Sequence, residues 1–187
     1  GGDKLARALL TRGEDDLILV TRKGNALRID ESTVRRMGRA SRGVQGIRLS
    51  GNDELAGVVS SGDGDEIFII TENGYGKRTT FDDFNVHGRG TRGQIGYTLN
   101  ERTGEVVAVQ PVKPEDDVVV ITSQGNALKL NVGGVTVQGR TAMGVRVANI
   151  ARPDYVVSVG RAANADGDGV GEASGREDDA GADDGEA

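Results

Sequence analysis

The ten residues TRKGNALRID at 21–30 return as TSQGNALKLN at 122–131, and TENGYGKRTT at 71–80 stands about midway between them. Gly24, Gly74 and Gly125 are thus 50 and 51 residues apart, and the same intervals relate Arg28, Arg78 and Lys129, and again Gly38, Gly88 and Gly139. Self-similarity at this period identifies a repeat architecture, in which each copy is one supersecondary unit that buries its apolar face against its neighbours. Three copies span most of the chain.

Each copy reads as β structure. Apolar, β-branched runs at 17–20, 67–70 and 118–121 follow acidic residues and end at a turn. Those turns, Lys23-Gly24-Asn25, Asn73-Gly74-Tyr75 and Gln124-Gly125-Asn126, offer the residue types that accept the positive φ of a tight hairpin. The quoted decapeptide is therefore a hairpin turn with its return strand, in which Leu27 and Ile29 point one way and Arg28 the other. A third strand is expected in each unit at 44–49, 95–99 and 145–150, and a fourth at 55–59, 106–109 and 156–159. Four strands per unit is the pattern of a propeller blade. Residues 4–12 read as a further fourth strand, so the chain is expected to start partway through a unit. The fold class expected is all-β, a partial propeller-like array of about three four-stranded blades over residues 1–160, with units at 15–59, 65–110 and 116–160.

Charge divides the chain in two. The whole of its 187 residues carries a net charge of −6, but residues 161–187 hold nine acidic and two basic residues and almost nothing apolar. That stretch cannot bury enough apolar surface to offset the entropy of ordering and is expected to be a disordered acidic tail. Without it, 21 basic residues face 20 acidic ones, so the body is nearly neutral. The sequence has no cysteine, which excludes disulfides, thiolate metal sites and cysteine nucleophiles. It shows neither an apolar run of membrane-spanning length nor a signal-peptide pattern, so a cytoplasmic location without a membrane partner is expected.

The chemistry-bearing motif is a glycine-bracketed loop: MGRASRG at 37–43, HGRGTRG at 87–93 and QGRTAMG at 138–144. All three share G-R-x-x-x-G. Glycine at both ends lets the backbone bend and approach a neighbour closely, and the arginine offers a planar fork of donors suited to phosphate. One strand or loop arginine is ordinarily a solvated group of little consequence. Three in register with a β repeat place guanidiniums at equivalent points on successive blades, which makes a stripe along one rim.

On these hairpins, on the G-R-x-x-x-G loops and on the acidic tail, the chain resembles the C-terminal β-pinwheel domain of DNA gyrase A over residues 1 to about 160. That family's signature is a Gln-basic-basic-Gly-Gly-Lys-Gly loop, which is not intact here. The 37–43 loop lacks the glutamine, and the 138–144 loop has Met143 where a basic residue belongs, so the chain looks like the C-terminal half of such a domain. The corresponding domain of topoisomerase IV resembles it less. The resemblance implies a module that wraps double-stranded DNA around its outer rim without sequence specificity, in support of ATP-dependent negative supercoiling. The residues matching that role are Arg39, Arg42, Arg89, Arg92 and Arg140 in the loops and Arg28, Arg78 and Lys129 on the hairpins, with Arg35, Arg36, Lys77 and Arg146 as second choices. No cofactor is expected in this chain. ATP and Mg2+ are implied for the holoenzyme only, whose other parts, the N-terminal breakage-reunion region of gyrase A and the gyrase B protein, are the implied protein partners.

Other readings carry less. Tyr75, Tyr97 and Tyr155 have no second catalytic group close in sequence, and sheet aromatics usually pack. His87, the one histidine, stands where the other loops have Met37 and Gln138. Gly76-Lys77-Arg78 lacks the upstream glycines and the hydroxyl of a phosphate-binding loop, and Asp63-Gly64-Asp65 has too few ligands for calcium. The competing class, a protein-binding propeller fragment of the kelch or regulator-of-chromosome-condensation type, fits the period but not the lack of tryptophan and of the kelch glycine doublet. No acid, base and metal constellation supports an enzyme. The acidic tail is read either as a solubilising end or as a competitor with DNA for the basic rim.

Overall fold

In the computed structural model, which describes residues 5–162, the repeated decapeptide is an antiparallel hairpin in all three units. Strands β1 (Asp16–Thr21) and β2 (Asn25–Asp30) form the first, β4 (Glu66–Thr71) and β5 (Tyr75–Thr80) the second, and β8 (Asp117–Thr122) and β9 (Ala127–Asn131) the third. Gly24, Gly74 and Gly125 turn with φ of +82°, +78° and +82°, the left-handed conformation that a side chain disfavours. The expected fourth strands, β3 (Leu55–Ser60), β7 (Val106–Val112) and β11 (Val156–Arg161), pair antiparallel with β1, β4 and β8. Because β7 lies beside both β3 and β11, these strands gather on one side, and the hairpins' return strands lie on the other, outer side.

The third strands depart from expectation. They do not complete their own unit but cross to the preceding one. Strand β6 (Gln94–Ile95), from the second unit, pairs with β2 of the first, and β10 (Val145–Arg146), from the third, pairs with β5 of the second. The sheets are therefore ordered β3-β1-β2-β6, β10-β5-β4-β7 and β11-β8-β9, all antiparallel. Residues 44–49, expected as a strand, form none, since no unit precedes the first within the described residues. Residues 5–12, expected as a fourth strand, form none either. Arg161, assigned by composition to the tail, ends β11 opposite Val118, and its Nε lies 2.8 Å from Asp116 Oδ2. The remainder of the expected tail lies outside the described residues.

The core lies between blades rather than within them. Ile67 and Ile69 of β4 join Ile18, Val20, Ala26 and Val59 of the first blade, while Phe68 and Ile70 on its other face join Val118, Val120 and Val132 of the third. A central strand apolar on both faces reads as a continuous run, here IFII, instead of alternating. Phe84 and Tyr97 fill the first junction, Val135 and Val156 the second. Truncating Phe68, which is fully buried, leaves a void costing roughly 3–5 kcal/mol at the second junction.

Candidate nucleic-acid interface

Each strand that crosses to the preceding blade carries a G-R-x-x-x-G loop to its outer edge. In the second unit, His87 N donates to Arg28 O at 2.9 Å, Gly90 N to Gly46 O at 2.5 Å, and Arg48 N to Thr91 O at 2.8 Å. In the third, Gln138 N donates to Arg78 O at 2.8 Å and Thr98 Oγ1 to Thr141 O at 2.5 Å, while Arg140 Nη1 donates to Ile95 O. Loop two therefore sits on the segment that follows loop one, and loop three on the segment that follows loop two. The three loops form one continuous path along the outer edge.

Arg39, Arg42, Arg89 and Arg92 are exposed on that path and Arg140 is half-buried. Arg89 Nε reaches Thr33 O at 3.2 Å. Among the described residues, no carboxylate lies within ion-pair distance of these five arginines, nor of Arg35, Arg36, Arg48 or Arg146. The windows 34–49, 84–99 and 135–150 hold these nine arginines and not one Asp or Glu. This acid-free spacing is the signal in the sequence that resolves the near neutrality of the body, because the acidic residues lie elsewhere. Arg48 belongs to the same path, and sequence reasoning missed it because it falls outside the glycine brackets.

The hairpin cations have other roles. Arg28 gives Nε and Nη2 to Asp16 Oδ2 at 2.9 and 2.5 Å, and Nη1 to Phe81 O and Phe84 O at 2.7 and 3.1 Å. Arg78, 8% exposed, gives Nη1 to Glu66 Oε2 at 2.7 Å and Nε to Val135 O at 2.6 Å. Both guanidiniums are inter-blade clamps, each tying its own β strand to the 3-10 turn of the next unit, and neither is open to a phosphate. Lys129, in the equivalent position of the third unit, stays exposed and pairs with Asp117 at 2.8 Å.

Lys77 is also withdrawn from the rim. Fully buried, it stands where the other units have Leu27 and Leu128. Its Nζ donates to Gly139 O, Arg140 O and Ala142 O at 3.1, 2.5 and 2.9 Å and lies 4.9 Å from the centre of the Tyr97 ring. Lys77 thus holds the backbone of the third loop. Burial pushes its ammonium down to about 8, with Asp83 opposing the shift and Arg140 adding to it. Tyr97 is buried and its hydroxyl is pushed above the usual tyrosine range by burial. Tyr75 lies between Arg146 and Arg102, whose hydrogen bonds at 3.2 and 3.3 Å hold its hydroxyl below that range. Tyr155 is half exposed, and His87 is exposed in its loop.

Antiparallel blades that each lend a strand to the preceding one, with cationic loops along the outer edge, define a β-pinwheel repeat. Residues 15–61, 65–113 and 116–163 match the family described as "DNA gyrase C-terminal domain, beta-propeller", and the chain belongs to that family. It is 41% identical over 167 residues to the DNA gyrase A protein of Aminobacterium colombiense, covering 89% of this chain and 20% of that protein. To the DNA gyrase A protein of Staphylococcus aureus it is 37% identical over 161 residues, 85% of this chain and 18% of that protein. The chain therefore spans about a fifth of the length of these relatives. Among solved structures, a DNA gyrase A C-terminal domain superposes with a TM-score of 0.73 at 30% identity, over 79% of this chain and 50% of that one. The C-terminal domain of DNA topoisomerase IV gives the same TM-score at 26% identity, over 80% and 47%. Backbone shape alone does not separate the two sister domains; the difference between them lies in sequence.

Proposed function

We propose that this chain binds duplex DNA along its outer edge and bends it, as the wrapping module of DNA gyrase A, itself part of an ATP-dependent type II topoisomerase. The observation that carries the reading is the continuous path of three acid-free loops bearing Arg39, Arg42, Arg89, Arg92 and Arg140, with Arg35, Arg36 and Arg48 beside them and Lys129 at the end of the arc. Bending 20–30 base pairs through a large angle costs on the order of 1–6 kcal/mol, which no single contact offsets and a row of phosphate contacts does. Guanidinium contacts to phosphate fix the position of the duplex without reading its sequence, so binding is non-specific. Strand cleavage belongs to the breakage-reunion part of gyrase A, and ATP hydrolysis, with its Mg2+, to gyrase B; the site of action is the bacterial-type chromosome in the cytoplasm.

Two measurements test this. Neutralising five phosphates gives a slope of about −4.5 in log K against log salt by fluorescence anisotropy, and the triple variant Arg39→Gln, Arg89→Gln, Arg140→Gln lowers its magnitude by about 2.7. Relaxing a plasmid with a type I topoisomerase while the chain is bound leaves trapped writhe after deproteinisation. A flat salt response together with fully relaxed plasmid refutes the reading.

A further inference from the structure

The contact between consecutive units is made twice inside the chain, and its two halves are found unused at opposite ends of the array. Gly24 O accepts from Gly96 N and Tyr97 N at 2.8 and 2.9 Å, and Gly74 O accepts from Val147 N and Ala148 N at 2.9 and 3.1 Å. The registers match, with Ala26 opposite Gln94 and Gly76 opposite Val145. The fit is close, since a Cβ on Gly24 would overlap Tyr97 O and one on Gly74 would overlap Ala148 O.

The third unit has the receiving half without an occupant. Gly125 keeps the same φ of +82°, yet nothing lies within 4 Å of where its Cβ would be. Among the described residues, β9 has no strand on its second edge and Gly125 O accepts no backbone hydrogen bond. Val119 and Ile121, on the face that in the second unit is formed by the fully buried Phe68 and Ile70, are only half-buried.

The first unit has the donating half without a recipient. Gly43 takes a φ of +82°, as Gly93 and Gly144 do at +72° and +73°, but it too has nothing within 4 Å, whereas a Cβ on Gly144 would come 2.5 Å from Gly76 O. Among the described residues, the amides of Gly46 and Ile47, equivalent to the paired donors Gly96 and Tyr97, make no hydrogen bond. Val34 and Leu49 are 38% and 42% exposed, while Phe84 at the position of Val34 is 1% exposed.

We propose that this chain associates head to tail with a second copy, residues 43–49 of one adding to the free edge of β9 in the other. Val44 then stands opposite Ala127 and Gln45 opposite Asn126, with Gly46 N and Ile47 N donating to Gly125 O. The occupant is a second copy because that segment carries the same glycine, the same spacing and the same unpaired donors that fill the equivalent edge twice within the chain. The contact is heterologous, so it either closes a ring of two or continues into longer assemblies. It is independent of the DNA reading and is measured without DNA.

The chain has no cysteine, so Val44→Cys and Ala127→Cys can each be introduced as the one thiol. Opposed residues of an antiparallel pair have Cα atoms about 4.5–5.5 Å apart, within disulfide reach. Oxidising an equimolar mixture of the two variants is expected to give the mixed disulfide at least tenfold above a control pairing Leu49→Cys with Ala127→Cys. By sedimentation equilibrium the wild-type chain exceeds its monomer mass of 19.5 kDa as concentration rises. Ile47→Pro, which removes one of the two donors from a segment that forms no strand, weakens that association at least tenfold while leaving the circular dichroism unchanged. A monomer at all concentrations, association unaffected by Ile47→Pro, or mixed disulfide no greater than the control overturns the proposal.

Discussion

Arg28, Arg78 and Lys129 occupy one repeat position in three environments, so replacing each with methionine measures what the position does. Arg78→Met leaves Glu66, 14% exposed, without its 2.7 Å partner and the Val135 carbonyl without its donor. Breaking a buried pair from one side costs roughly 3–5 kcal/mol, because the remaining charge stays desolvated. At Arg28 the carboxylate left behind, Asp16, is 25% exposed and can turn toward water, which reduces the cost to about 2 kcal/mol. Lys129 is 66% exposed beside Asp117, and its loss costs at most about 1 kcal/mol. Urea titration followed by circular dichroism reads the order Arg78, Arg28, Lys129. Thermal melts should show a drop of roughly 10 °C for Arg78→Met, at about 2–4 °C per kcal/mol for a domain of this size. Folded Arg78→Met retains DNA affinity to within about threefold, since the lost group makes no contribution to the phosphate path. Equal costs at the three positions, or a stable Arg78→Met that loses DNA as Arg39→Gln does, refutes the assignment of these residues as clamps.

Three further outcomes follow from particular groups. Lys77 titrates near 8 when folded and near its ordinary value when unfolded, so the unfolded chain holds the extra proton between those values and folding stability rises with pH across that window. The gain reaches about 3 kcal/mol by pH 10.5, and the difference in urea midpoints between wild type and Lys77→Met, followed from pH 7.5 to 10, isolates it; a constant difference contradicts the burial of the charge. Gly74→Ala and Gly125→Ala incur the same penalty for positive φ, but only the first forces a methyl group into the Ala148 carbonyl, so at low protein concentration it is the more destabilising by about 2 kcal/mol. Arg48→Gln is expected to lower the magnitude of the salt slope for DNA by about 0.9, as Arg92→Gln does, and an unchanged slope removes Arg48 from the path.

The hairpins are legible in the sequence because each depends on local chemistry: a glycine that takes positive φ, and flanking residues whose alternation or apolar run fixes which faces are buried. Strand exchange is not legible. Strands β6 and β10 pair over two residues each, too short for periodicity to register, and nothing in GQIGYTL states which hairpin receives it. Recurrence once per unit points Arg28 and Arg78 toward DNA, but a residue that recurs once per unit serves equally well as a contact between units. Their acidic partners, Asp16 and Glu66, stand opposite Asp30 and Thr80 at the far ends of the hairpins, twelve residues away in sequence. The loop arginines are legible because glycines bracket them and no carboxylate shares their windows. Lys77 shows the limit of reading by equivalence, since a cation at a position held by leucine in both sister units has a role particular to its own junction.

Apolar clusters that straddle the joints, rather than filling the blades, give the array a modular energetics. An isolated blade has no interior, and each added blade contributes one more joint of nearly constant worth. Melting is then expected to advance joint by joint from the termini inward. Lineages can lengthen or shorten the arc by whole blades, and so adjust how far a duplex is carried around, without redesigning any joint that remains.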